Sequence, residues 1–148
     1  MDIKNTLYKV CLERNEARLS EINYAIEQSQ DAIVNDTKSS AGDKYETTRE
    51  MIQQDLNRYQ DQLKQAKTDQ RLLEQIDLGV KAKVALGAIV QTDKAQYFLA
   101  ISLGRISVEG GTYMVVSPSS PIGALLLTNG PGDTIMFNGM SQTILKVY

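Results

Sequence analysis

Over its first 78 residues the chain carries no proline and a single glycine, Gly42. So long a stretch without helix breakers, with small polar residues gathered at its middle, predicts two helices folded back on each other. The stretch NDTKSSAGDKYETTRE, Asn35 to Glu50, is where the chain turns. Thr37, Ser39, Ser40 and Gly42 supply the turn, because short polar side chains compete for nearby backbone hydrogen bonds. Just beyond it come Asp43 and Glu46, three residues apart, on one side of the first turn of the second helix. Their charge suits the positive end of the helix dipole.

The two arms carry matching apolar stripes. In the first, Leu12, Leu19, Ile22, Ile26 and Ile33 follow a 3–4 spacing, with Asn15 and Ser29 at two seam positions. In the second, Ile52, Leu56, Tyr59, Leu63, Ala66 and Leu73 keep the same rhythm, with Gln70 as a polar seam position. Folding about residues 39–40 sets Ile33 by the Tyr45 turn, Ile26 against Ile52, Ile22 against Leu56 and Leu19 against Tyr59. The expected product is an antiparallel coiled-coil hairpin at about residues 3–76, a thin finger with an acidic end. Taken alone, the heptads also fit a coiled-coil adaptor that pairs with another helix.

After the linker DLGVKAK, Asp77 to Lys83, the period changes. Val84–Thr92, Gln96–Leu103, Thr112–Val116, Asp133–Phe137 and Ser141–Tyr148 read as five strands, separated by turn signals that include Glu109-Gly110-Gly111 and Asn138-Gly139. Ser120 before Pro121 is an N-cap followed by proline at the first position of a short helix over Ile122–Leu127. The chain therefore divides into a hairpin, 1–78, and an α+β domain, 79–148, with a small antiparallel sheet and one short helix.

Composition limits the chemistry. With no histidine, the chain lacks Ser-His and Cys-His nucleophile pairs, imidazole acid–base catalysis and histidine-ligated zinc. One cysteine, Cys11, forbids an intrachain disulfide and is expected to be a small packed residue. No signal peptide or membrane span is legible, so a cytoplasmic protein is expected. Residues 1–78 hold 11 Lys/Arg and 15 Asp/Glu, net −4; residues 79–148 hold 5 and 3, net +2. The carboxyl half is the better face for an acidic partner. Asp36, Asp43 and Glu46 can offer oxygen ligands to Mg²⁺, but not a complete cage, so any metal role needs ligands from a partner.

The carboxyl half resembles the carboxyl-terminal domain of the GreA/GreB transcript-cleavage factors, which has an FKBP-like fold. The resemblance rests on Val116-Ser117, Ser120-Pro121-Ile122-Gly123-Ala124-Leu125-Leu126, Gly132-Asp133 and the closing Ile144-Leu145-Lys146-Val147-Tyr148. A coiled-coil hairpin precedes this block, as in that family. The resemblance implies an accessory factor, not itself an enzyme, that docks its globular domain on bacterial RNA polymerase through Ser120, Pro121 and Ile122. The finger would enter the secondary channel and reach the 3′ end of backtracked RNA. Asp43 and Glu46, with the family's Asp-x-x-Glu spacing, would be the catalytic pair. They would help hold the second Mg²⁺ of the polymerase active site, with no cofactor in the free protein, and stimulate hydrolytic cleavage by the polymerase itself. Alignment on Tyr45 and Arg49-Glu50 instead shifts the register and puts Lys38 and Ala41 at the acidic positions. That register implies a channel-binding regulator or inhibitor without cleavage activity. The FKBP-like fold also leaves a prolyl isomerase open, with Tyr97, Phe98, Tyr113, Phe137 and Tyr148 to line a pocket.

Overall fold

A computed structural model describes residues 2–37 and 43–148, with the backbone alone for 35–37 and 43–47. Helix α1 spans Ile3–Thr37 and helix α2 spans Asp43–Glu74. The strands are β1 Ile89–Thr92, β2 Gln96–Leu99, β3 Gly104–Val108, β4 Gly111–Val116, β5 Thr134–Phe137 and β6 Met140–Val147, with helix α3 at Pro121–Leu126 between β4 and β5. An N-terminal helical hairpin followed by a sheet domain with one short helix is thus the fold. The chain forms two compact units, residues 14–70 and residues 1–13 with 71–148. Among the described residues no helix is long and apolar enough to cross a membrane.

In the first unit α1 and α2 meet along the expected seam. Asn15, Ile22, Leu56 and Ala66 are buried, while the positions between them are mostly exposed. The pairing differs from a fold about residues 39–40. Asn15 Nδ2 donates to the Ala66 carbonyl at 3.1 Å and to Gln70 Oε1 at 3.2 Å. Arg18 pairs with Asp69 at 2.9 Å. Continued down the hairpin, the expected register sets Asn15 against Leu63, so the helices are displaced by about one turn. Counting apolar residues missed this because polar seam residues, Asn15 and Gln70, found each other. The turn residues Ser39, Ser40 and Gly42 lie outside the described residues, as does the side chain of Thr37.

The second unit is built on a six-stranded sheet of order β3-β4-β2-β1-β6-β5. It is mixed, not wholly antiparallel: β2 runs parallel to β4, and the other neighbours are antiparallel. The sixth strand is β3. It folds onto β4 through Glu109-Gly110, both with positive φ, a two-residue turn whose twist suits a hairpin. That hairpin lays β4 beside β2 in the same direction. Asn138-Gly139, also both at positive φ, makes the corresponding turn between β5 and β6.

Side chains alternate across this sheet into two cores. Ile89, Phe98, Tyr113 and Val115 face one side, where Leu7, Cys11 and Leu73 cover them. Val90, Tyr97, Leu99 and Val116 face the other, under Ile122 and Leu126 of α3. The central strands are covered on both faces and so read as continuous apolar runs. Tyr8 Oη donates to the Leu73 carbonyl at 2.9 Å, and Lys4 Nζ to the Leu78 and Gly79 carbonyls at 3.3 and 2.8 Å, fastening the helix ends of this unit. Burial pushes the Cys11 thiol up to about 12. A thiol so protonated, with no exposed surface, is a poor nucleophile. Labelling by a thiol reagent at pH 8 is expected to be slow in the native protein and fast in denaturant. Rapid native labelling would contradict this packing.

Candidate functional site

The Ser117–Asn129 segment is the most constructed surface feature of the sheet domain. Ser120 Oγ accepts from the Gly123 amide at 3.1 Å and donates to the Ser117 carbonyl at 2.7 Å. Ser117 Oγ in turn accepts from the Ser120 amide at 3.1 Å. Pro121 follows the cap in the first turn of α3, where its missing N–H costs nothing. At the far end Asn129 Nδ2 donates to the Leu125 carbonyl at 2.7 Å, and Val84 pairs its backbone with Thr128 and Asn129. A six-residue helix is too short to be stable alone. These caps and the burial of Ile122 and Leu126 hold it.

Gly123 explains the close seating. A Cβ at this position would lie 2.0 Å from the Ser117 carbonyl oxygen. Only glycine lets α3 settle onto the preceding loop. The residues of this motif therefore have different jobs. Ser120 is the cap, Ile122 is 8% exposed and anchors the helix from below, and Pro121, Ala124 and Leu125 form its outer face. Leu125 did not stand out in the sequence as a surface residue, since nothing in the pattern Ile-Gly-Ala-Leu-Leu says which leucine the sheet takes.

The side chains of Asp36, Asp43 and Glu46 lie outside the described residues. The structure places the backbone of Asp43 and Glu46 in the first turn of α2 and leaves their chemistry untested.

The aromatics of the sheet do not gather in one pocket. Tyr97 packs on the α3 side, with its hydroxyl on Gln142 Oε1 at 3.0 Å. Phe98 and Tyr113 pack on the opposite side. A cleft of about 430 Å³ brings Tyr113 and Tyr148 together with Ile3, Ile89 and Lys4. Burial and the neighbouring Lys81 lower the Lys4 ammonium from its ordinary value, against the pull of Asp2 and Asp77. Its hydrogen bonds go to the Leu78 and Gly79 carbonyls, so this lysine is engaged in holding the fold.

No protein-family model and no characterised protein sequence matches the chain. Among solved structures, one described as the transcription factor Gfh1 aligns over 95% of this chain and 92% of its own, at 15% identity and a TM-score of 0.36. GreA factor homolog 1 (Gfh1) of Thermus thermophilus aligns over 95% and 94%, at 14% identity and the same TM-score. Likeness at this level does not transfer function from one chain to another.

Proposed function

We propose that this chain is a transcription elongation factor of the Gre type, which binds bacterial RNA polymerase in its secondary channel and stimulates cleavage of backtracked RNA. The observation that carries the reading is the Ser120–Leu126 block. The residues on which the resemblance to GreA/GreB rests fold as a capped helix fixed by Gly123, with Pro121 and Leu125 outward, in a chain whose other half is a long helical hairpin. In this reading the sheet domain docks and the hairpin reaches. Asp43 and Glu46 then offer carboxylate oxygens to a Mg²⁺ ion held mainly by polymerase acids. Two carboxylates on one helical turn leave most of an octahedral sphere to water, so the free protein would bind the ion weakly.

The test is capture of core RNA polymerase by the full chain, followed by a cleavage assay on backtracked complexes. Capture with faster cleavage supports the proposal. Capture with slowed elongation and no cleavage supports the regulator reading, in which Lys38 and Ala41 hold the acidic positions. No capture removes the polymerase from the account.

Pro121→Arg addresses the docking face separately. Pro121 is exposed, so the substitution should leave the circular dichroism spectrum unchanged. Polymerase binding is expected to weaken roughly tenfold or more, about 1.4 kcal/mol, if a bulky cation is placed in a close-packed interface. Unchanged affinity would remove the outer face of α3 from the docking surface.

A further inference from the structure

The seam of α1 and α2 admits two pairings. The apolar stripes match when Ile26 faces Ile52, Ile22 faces Leu56 and Leu19 faces Tyr59. A slide of about half a heptad, three to four residues, returns knobs to holes, since seam positions recur at that interval. The observed pairing is the slid one. In it Asn15, 1% exposed, places its amide nitrogen on the Ala66 carbonyl and on Gln70 Oε1. Arg18 and Asp69 form their ion pair beside it. In the apolar pairing Asn15 would lie against Leu63, and Gln70 would be about two turns away.

Asn15 also carries a cost. Its Oδ1 is buried without a hydrogen-bond partner, the only such side-chain atom among the described residues. An unsatisfied buried acceptor is unfavourable, and a seam leucine would avoid it. Polar residues at coiled-coil seams specify register at a cost in stability. We propose that Asn15 and Gln70, backed by the Arg18–Asp69 pair, are a register selector. They hold the hairpin in the observed pairing and exclude the pairing that matches the apolar stripes, half a heptad away. A change of register would slide α2 along α1 by about 5 Å. The inference does not depend on what the hairpin reaches.

Cross-linking in the full chain tests it. Two reporter pairs are used, Arg18→Cys with Asp69→Cys for the observed pairing and Arg18→Cys with Gln65→Cys for the apolar one. Both remove the ion pair equally. The native Cys11 is buried and needs no replacement. With Asn15 and Gln70 in place, a short bis-maleimide, which adds one thiol at each end, is expected to join the 18/69 pair and leave the 18/65 pair at background. In an Asn15→Leu, Gln70→Leu background the 18/65 yield should rise to at least that of 18/69. Tyr8→Phe, which removes the hydroxyl contact to Leu73 in the sheet unit, should raise it further. Cross-linking confined to 18/69 in all these backgrounds, with helix content retained, overturns the proposal. If the combined variant loses its helix, Asn15→Leu alone decides by the same ratio.

Discussion

Gly123→Ala is expected to destabilise the sheet domain severely, although alanine is the better helix former. In an exposed helix interior the exchange would gain about 1 kcal/mol from propensity. Here the added methyl carbon would sit 2.0 Å from the Ser117 carbonyl oxygen, 3.0 Å from that carbonyl carbon and 2.9 Å from Ser120 Oγ. Two of these are backbone atoms, which cannot turn aside as a long side chain would. Either α3 lifts from the Ser117 loop or the loop moves. Both break the hydrogen bonds that Ser120 makes with Ser117 and Gly123, a cap worth about 1 kcal/mol. Lifting α3 also loosens Ile122 and Leu126, each of which contributes roughly 1.5–3 kcal/mol when fully buried. The losses outweigh the gain, and a net cost of about 4 kcal/mol is expected, near the upper end for single substitutions. That corresponds to a fall in Tm on the order of 10 °C for a chain of this size. Gly79→Ala is the control, because a Cβ there meets only the Asp77 side chain, at 3.1 Å, and that carboxylate can rotate. Thermal melts of the two variants beside the parent decide the matter. A Gly123→Ala melt within a degree or two of the parent would mean that α3 is not seated as described.

What was legible in the sequence follows the range of the forces involved. The hairpin was legible because one missing residue type, proline, and one period govern its whole length. Helix α3 was legible because Ser120 and Pro121 act within one turn. The strand β3 was not. Gly104-Arg105-Ile106-Ser107-Val108 lies at the sheet edge with one buried side chain, Ile106, so its apolar signal is thin. The parallel pairing of β2 and β4 depends on where the β3–β4 hairpin folds, which no local pattern states. The second face of the sheet was hidden for another reason. Leu7, Cys11 and Leu73 fit a helix–helix stripe, yet they cover strands far away in the chain. A clue was available in Ile3, Leu7, Tyr8, Val10, Cys11 and Leu12, which spread over more of the helix surface than a two-helix seam needs. At the Ser120–Leu126 block, residue types suggested a cap and a surface; only the fold separates Ile122, which points into the core, from the exposed Leu125.

Asp43→Ala or Glu46→Ala is expected to lower the rate of RNA cleavage in the polymerase complex by about 10²-fold, on the order of 3 kcal/mol of transition-state stabilisation. A single Mg²⁺ ion demands near-octahedral oxygen coordination and gives up its waters reluctantly, so two acids on one turn hold it poorly. Their contribution becomes large only where other acids already fix the ion and the attacking water needs orienting. Both residues start α2, where a negative charge near the helix N-terminus is worth about 0.3–1 kcal/mol. The fold should therefore survive, and binding to polymerase should be unchanged if the sheet domain does the docking, as proposed. Three measurements on the same preparations separate the outcomes: the Tm, the affinity for core polymerase and the single-turnover cleavage rate. A selective loss of cleavage assigns Asp43 and Glu46 to the reaction. Equal cleavage by variants and parent would take both residues out of the mechanism. A parent that binds and stalls the polymerase without cleaving would mean that the hairpin only fills the channel. In that case Lys38→Asp with Ala41→Glu, which restores the acidic spacing in the shifted register, is the variant expected to gain cleavage.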